Sequence, residues 1–257
     1  MLKPIIQNKN IYPSLLWQRG INIFRHPGKV IIVGGEKNSH DIINFCEVLF
    51  QSQIGKFTLA IPEKFLKQYS QIVPPENILP LPSSIVGGFL ISGIDKIIEI
   101  ADEYNLMVLG IGLSESHETS QFIAQLLDKI QIPILCFNLD LKSKNQNIAQ
   151  LIIKNNDFSI FDAEKLIQDS QGTVIALTPK ESWVISPEKN IITHFETKDS
   201  EIVILALISL IWAININKPF EAACTGSYLA KIWSENFKKI SEIGKMIKKV
   251  EKEIEGG

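Results

Sequence analysis

Two glycine pairs, each closing an apolar run, are the residues best placed to do chemistry. Gly34-Gly35 follows Lys29–Val33 (KVIIV), and Gly110-Ile111-Gly112 follows Leu106–Leu109. In a parallel α/β sheet, ligands lie beyond the carboxyl ends of the strands, where glycines let the backbone come close. Gly34, Gly35, Gly110 and Gly112 are therefore the candidate substrate-binding residues. Gly110-x-Gly112 is followed by Leu113-Ser114-Glu115, without the third glycine of a dinucleotide fingerprint, and there is no GxxxxGK[ST] phosphate loop. Taken singly, glycines after strands are more often plain turn residues.

The other reactive residue types are less well placed. Cys46, Cys136 and Cys224 are odd in number, far apart and embedded in apolar runs. They read as small buried hydrophobes in a reducing compartment rather than as reactive thiols. His26, His40, His117 and His194 show no metal-ligand spacing with one another or with the cysteines, so no metal site is assigned. Three carboxylates, Glu196, Asp199 and Glu201, stand just before the apolar run Ile202–Ile214. Anions are favoured at helix N-termini, and Ser200 or Asp199 reads most simply as the N-cap. No residue is assigned a catalytic role.

Composition bounds the rest. The 257 residues are 45% apolar and 21% charged, which is globular composition with enough chain for a sizeable core. Lys and Arg number 26 against 28 Asp and Glu, a net charge of -2, so no global positive field draws in nucleic acid. Residues 1–20 are broken by Pro4, Asn8, Lys9, Asn10 and Pro13, with no continuous apolar segment of the signal-peptide kind. Ile202–Ile214 is apolar except for Ser209, but it is shorter than the roughly 18–20 residues of a spanning helix. A buried core helix, no membrane partner and a cytoplasmic location are expected.

The elements that must position the glycines alternate along the chain. Lys29–Val33, Lys56–Ile61, Leu106–Leu109 and Pro133–Phe137 read as strands. Asp41–Gln53, with apolar residues at 42, 43, 45, 46, 49 and 50, reads as a helix, as do Ile94–Tyr104 and Thr119–Lys129. Ser92 with Asp95 resembles an N-cap pair. Gly172–Leu177, Trp183–Ser186 and Ile191–Phe195, separated only by turns, read as a β meander. Helices are then expected over 202–214, 220–236 and roughly 238–254. The pattern predicts an α/β fold with a mostly parallel central sheet and helices on both faces. One domain is expected, with an N-terminal extension over 1–25 and a C-terminal helix over 238–257. Phe237, Ile240, Ile247, Val250 and Ile254 form an apolar stripe that should dock on the parent domain or on a second subunit of a homo-oligomer. Gly244 weakens that helix.

Several segments together resemble one family. His26-Pro-Gly-Lys-Val-Ile-Ile-Val-Gly-Gly35 resembles the "HKG…VLVIGG" opening of the ADP/ATP-dependent NAD(P)H-hydrate dehydratases. Gly55-Lys-Phe-Thr-Leu-Ala-Ile-Pro-Glu63 is similar to their "GAGLVTVAVPE". Met107-Val-Leu-Gly-Ile-Gly-Leu-Ser114 with Glu118-Thr119 is similar to "VVIGPGLG…EET", and Pro219-Phe-Glu-Ala-Ala-Cys-Thr-Gly-Ser-Tyr-Leu229 resembles "PFEAACLGVYLH". Order and spacing agree over 26–137 and 171–236. The resemblance implies a ribokinase-like fold and a lyase that repairs hydrated nicotinamide nucleotides. It further implies ATP or ADP as phosphoryl donor, with Mg as an accompanying ion.

The departures bear on activity. The family's small substrate-contacting residues after the first Gly-Gly are Asp41 and Ile42 here, and the proline and final glycine of "GPGLG" are Ile111 and Ser114. Phe137-Asn-Leu-Asp-Leu141 is a poor counterpart of "DADAL", with Phe161-Asp-Ala-Glu-Lys-Leu166 as a rival placement. Leu177-Thr-Pro-Lys180 aligns with either "LTPH" or the later hairpin, and the hairpin placement matches Trp183–Lys189 to "TVIATPDG". The family's "GNPGMATGGTGDVLAG", whose amides form an anion hole and whose aspartate is the base, is replaced by His194-Phe-Glu-Thr-Lys-Asp-Ser-Glu-Ile-Val203. That stretch contains no glycine. The expectation is a dehydratase-like protein of weak or absent activity. The alternative is a non-catalytic nucleotide-binding or structural protein of the same fold.

Overall fold

The computed structural model describes residues 3–15, 28–37, 39–52, 56–139, 141, 147–154, 158–170, 172–198 and 200–255. His26 and Asp199 lie outside the described residues. Ten strands form one sheet: β1 (Ile5–Ile6), β2 (Lys29–Val33), β3 (Lys56–Pro62), β4 (Ile78–Leu81), β5 (Leu106–Leu109), β6 (Ile134–Phe137), β7 (Ile148–Ile153), β8 (Val174–Thr178), β9 (Glu181–Ile185) and β10 (Asn190–His194). Their order is β1-β10-β9-β8-β7-β6-β5-β2-β3-β4. Every neighbouring pair is parallel except those of β9, which runs antiparallel to β8 and β10.

The helices are α1 (Ser39–Gln51), α2 (Leu66–Tyr69), α3 (Ile94–Ala101), α4 (His117–Lys129), α5 (Ile160–Asp169), α6 (Glu201–Ile214), α7 (Pro219–Asn236) and α8 (Ile243–Glu255). Strand side chains alternate between faces with a period of two, and both faces are buried. Val30 and Ile32 of β2 face one core with α1, α6, α7 and α8. Ile31 and Val33 face the other, with Ile94 and Ile97 of α3 and Phe122 and Leu126 of α4. Farther along the sheet, Val174, Trp183 and Ile192 pack with Ala163 of α5. The fold is α/β, a mostly parallel sheet with helices on both faces, as the pattern predicts.

α6 is the apolar run Ile202–Ile214, and every residue from Val203 to Ala213 is buried. Ser209, its one polar interior residue, donates its hydroxyl to Leu205 O at 2.7 Å, which removes the cost of burying it. Among the described residues no helix is long and apolar enough to cross a membrane.

Four local readings change. Ser92 lies in a 3₁₀ turn over Ile91–Gly93, so Gly93 stands at the start of α3 without a side-chain cap. That helix ends at Ala101 instead of Tyr104. A further crossover, β7 then α5, precedes the β8-β9-β10 meander, and β4 adds an edge strand. In α1, Val48 is buried while Phe50 is 66% exposed, which rotates the apolar face away from its predicted edge.

Candidate functional site: a closed crevice and an open cleft

β2 is hydrogen-bonded to β3 on one side and to β5 on the other. The chain therefore reverses its direction of travel across the sheet between β2 and β5, the position where open α/β sheets bind ligands. The four candidate glycines are all there, on the loops after β2 and β5. They bring those loops into direct contact. Gly35 N donates to Ile111 O at 2.9 Å, Lys37 N to Gly112 O at 2.6 Å, Gly34 N to Ala60 O at 3.2 Å and Gly110 N to Val33 O at 3.3 Å. A Cβ at Gly34 would lie 2.1 Å from Ile111 O, and one at Gly110 would lie 2.2 Å from Phe137 O. Gly35, Gly110 and Gly112 have φ of 85°, 125° and 63°, which disfavours any side chain. The amides of Gly34, Gly35 and Gly110 are thus engaged by neighbouring backbone carbonyls.

A residue that sequence reasoning missed lies over this contact. The Glu36 carboxylate accepts from Phe89 N at 2.7 Å and from the Thr119 hydroxyl at 2.5 Å through Oε1, and from Ser114 N through Oε2. Thr119 is fully buried in the first turn of α4, whose N-cap, Ser116, accepts from Thr119 N at 3.1 Å. A signal was present: a carboxylate directly after Gly34-Gly35, with the capping sequence Ser116-x-x-Thr119 on the facing loop. Behind Gly35, the Tyr69 hydroxyl donates to Gly35 O at 3.2 Å. Burial first, and then nearby Cys46, push this phenol up to about 12.

A second opening lies along the same edge of the sheet, beyond β7 and β8. It is a cleft of about 460 Å³ bordered by Lys154, Thr178, Pro179, Thr197, Lys198 and Glu201. The stretch before α6 is tied down to the β8–β9 turn. Phe195 N donates to Lys180 O at 3.0 Å, Thr197 N to Pro179 O at 3.1 Å, and the Thr197 hydroxyl to Thr178 O. Ser200 stands at the N-cap, as predicted, but its hydroxyl turns to Lys198 O at 3.4 Å and caps no amide of α6. Glu196 points to solvent and Glu201 is the first residue of α6. His194 pairs with Glu181 at 3.0 Å, and the other Glu181 oxygen accepts from Trp183 Nε1 at 2.7 Å, away from the cleft lining.

The cysteines are free and buried. Burial pushes the Cys46 and Cys136 thiols up to about 12, and Cys224 rises as well through burial and then nearby Glu221. None is a nucleophile near neutral pH. Among the described residues no group of three or more His, Cys, Asp or Glu is placed to hold a metal.

No protein-family model and no curated protein matches the sequence. Solved structures do. A hypothetical protein from Streptococcus mutans superposes with a TM-score of 0.70 at 13% identity, covering 96% of this chain and 99% of that one. A ribokinase-like superfamily protein from Enterococcus faecalis gives 0.67 at 11% identity over 97% and 92% of the two chains. The ADP/ATP-dependent NAD(P)H-hydrate dehydratase from Bacillus subtilis, co-crystallized with ATP/Mg2+, gives 0.61 at 12% identity over 98% and 95%. At such identities the likeness is one of architecture: the chain has the ribokinase-like α/β fold, and its structural neighbours include an NAD(P)H-hydrate dehydratase.

Proposed function

We propose that the protein binds ATP or ADP in the cleft beyond β7 and β8, and turns over hydrated NAD(P)H weakly or not at all. The observation that carries this is the cleft itself, about 460 Å³, with Lys154 and Lys198 at its border beside the start of α6. Two ammonium groups and a helix N-terminus favour a polyphosphate. The residues suit a nucleotide better than a dedicated metal cage. Mg2+ carried by the nucleotide would find Glu201 as one carboxylate partner, the usual manner for this ion, which is bound through one or two carboxylates plus phosphate. Bound there, Mg2+ supplies charge neutralisation at the phosphates.

Loss of turnover follows from what replaces the catalytic parts. Each missing oxyanion donor costs about 10²–10³ in rate, and a missing general base about 10²–10⁴. The segment from His194 to Val203 has no glycine. On the substrate side, a hydrated nicotinamide approaching Gly34, Gly35, Gly110 and Gly112 meets the Glu36 carboxylate already bonded across the crevice. That arrangement favours the second reading, a non-catalytic nucleotide-binding protein, over a repair lyase.

Calorimetric titration of Mg·ATP and Mg·ADP tests the first half. Binding is expected to weaken by about thirtyfold in a Lys154→Ala/Lys198→Ala variant, since two charged contacts, each on the order of 1 kcal/mol, together contribute about 2 kcal/mol. Absence of heat and of any thermal shift at millimolar nucleotide would remove the nucleotide reading. Turnover of hydrated NADH at roughly 1–10³ s⁻¹, typical of enzymes, would restore the lyase.

A further inference from the structure

We propose that the donors holding Glu36 form an oxyanion-binding subsite, and that Glu36 is its built-in occupant. Small molecules bearing a carboxylate or phosphate group would enter by replacing this one side chain. The site is distinct from the nucleotide cleft and does not depend on that assignment.

The three donors come from two segments, 53, 78 and 83 residues from Glu36 in sequence: Phe89 N on one, and Ser114 N and the Thr119 hydroxyl on the other. The Ser116 hydroxyl donates to Thr119 Oγ1 at 2.9 Å, so the Thr119 proton is directed onto Glu36 Oε1. The positive end of α4 lies directly behind. Closure around the anion is tight. A Cβ at Gly88 would stand 2.9 Å from Ser116 Oγ and 3.2 Å from Thr119 Oγ1, so a side chain there would push against the two hydroxyls.

The cradle does not rely on Glu36 for its backbone. On either side of it, Gly35 N and Lys37 N are bonded to Ile111 O and Gly112 O. The side chain can therefore withdraw by rotation about its own bonds while the flanking backbone and the donors stay in place. Glu36 is half-exposed, so its carboxylate has a route to water. Thr119 and the amide of Phe89 would then face an empty, positively polarised pocket, which is costly unless water or another anion fills it. A structural tie between loops would accept a free anion only once Glu36 is removed, whereas a displaceable occupant lets the wild type take the anion as well.

The test uses the full-length Glu36→Ala variant. Its melting temperature is measured against sodium acetate, inorganic phosphate and sodium chloride at matched ionic strength, beside the wild type. Acetate or phosphate should raise the variant's melting temperature saturably, chloride should not, and the wild type should respond to the same anion at about tenfold higher concentration because its own carboxylate competes. In ¹⁵N spectra of the variant, the Phe89 and Ser114 amides should shift with the same half-saturation. Acetate acting alone identifies a carboxylate site, and phosphate acting alone a phosphate site. A folded variant that responds equally to chloride or to no anion, or a wild type whose Phe89 and Ser114 amides do not move at any anion concentration, overturns the proposal. Should Glu36→Ala fail to fold, Glu36→Gln keeps the shape and weakens the internal ligand. The same anions should then move its Phe89 and Ser114 amides at lower concentration than in wild type, and identical titrations in the two proteins would overturn the proposal.

Discussion

Gly226 of α7 lies flat against Ile208 of α6: a Cβ built on Gly226 would be 2.6 Å from Ile208 Cγ1 and 2.8 Å from its backbone N and Cα. At this point the two helices meet backbone to backbone. Nearby, the Ser227 hydroxyl is bonded to the Ser182 hydroxyl of β9 at 2.9 Å, which fixes α7 on the sheet. Ala is the better helix former by about 1 kcal/mol, yet here the contact is with backbone, which cannot give way. Gly226→Ala should therefore destabilise the protein by about 1–3 kcal/mol, the usual cost of overpacking. Urea denaturation at constant slope would measure it, and unchanged or raised stability would show that the helices separate freely.

Stability should also fall on the alkaline side. Cys46, Cys136 and Tyr69 are all pushed up to about 12 by burial, from ordinary values of 9.0 for the thiols and 10.0 for the phenol. In each case the folded chain keeps its proton at a pH where the unfolded chain has lost it. The folded state thus binds more protons across that window, and stability declines as pH rises. Well below pH 9.0 these groups contribute no slope; through 9.0 and up to about 12 the denaturation midpoint should drop progressively. A Cys46→Ala/Cys136→Ala variant should be less stable at neutral pH but show a shallower alkaline decline. A thiol-disulfide reagent at pH 8 should label no cysteine until the chain is unfolded.

How much of this was legible beforehand depends on whether a residue's partners are local. β2 and β5 match their runs because each is continuous, apolar and stopped by glycine. β7 escaped because Gln150 interrupts its apolar run, a break explained only in the fold, where Gln150 Nε2 donates to Leu141 O. α5 escaped although its capping box, Ser159 with Asp162, is a readable start signal, because Phe161 sits exposed in its first turn and blurs the apolar face. The four glycines were placed at the right edge of the sheet by the strand rule alone. Glu36 was not, since its partners lie beyond any window that periodicity can scan. Gly244 reads as a weak point of α8, yet a Cβ there would lie 2.7 Å from Gln51 O, at the crossing with the end of α1.

That crossing leads to a prediction for the C-terminal helix. α8 docks on the parent chain: Ile243, Met246, Ile247 and Val250 are buried, with Phe237, Ile240 and Ile254 packed at the margin. The turn before it is held by Trp233 Nε1 donating to Lys239 O at 3.0 Å. Ile247→Ala should cost about 2–5 kcal/mol, as for other fully buried large-to-small changes. Lys238, at φ 65°, closes α7 in the left-handed region. Lys238→Gly should therefore raise stability by up to about 1 kcal/mol, because glycine carries no Cβ penalty there. Opposite signs for the two variants in thermal melts are the expected result, and a neutral Ile247→Ala would mean that α8 contributes little to folding.

Glu201 decides what the proposed nucleotide cleft can do. It is the first residue of α6 and borders the cleft together with Lys154 and Lys198. Its negative charge favours the helix N-terminus by about 0.3–1 kcal/mol, but it repels a polyphosphate by a comparable amount. Removing the charge while keeping the shape should therefore act in two directions. Glu201→Gln should bind Mg2+-free ATP about two- to fivefold more tightly, in line with that energy range, and should lose this gain when Mg2+ accompanies the nucleotide. The same variant should be marginally less stable without nucleotide. The gain should shrink at high salt, because exposed charges are screened. Hydration-repair turnover should stay at the wild-type background, since the segment from His194 to Val203 supplies none of the glycine amides that an anion hole requires. If Glu201→Gln instead abolishes a measurable wild-type activity, Glu201 is the base of a working enzyme, and the weak-or-absent reading of the site is wrong.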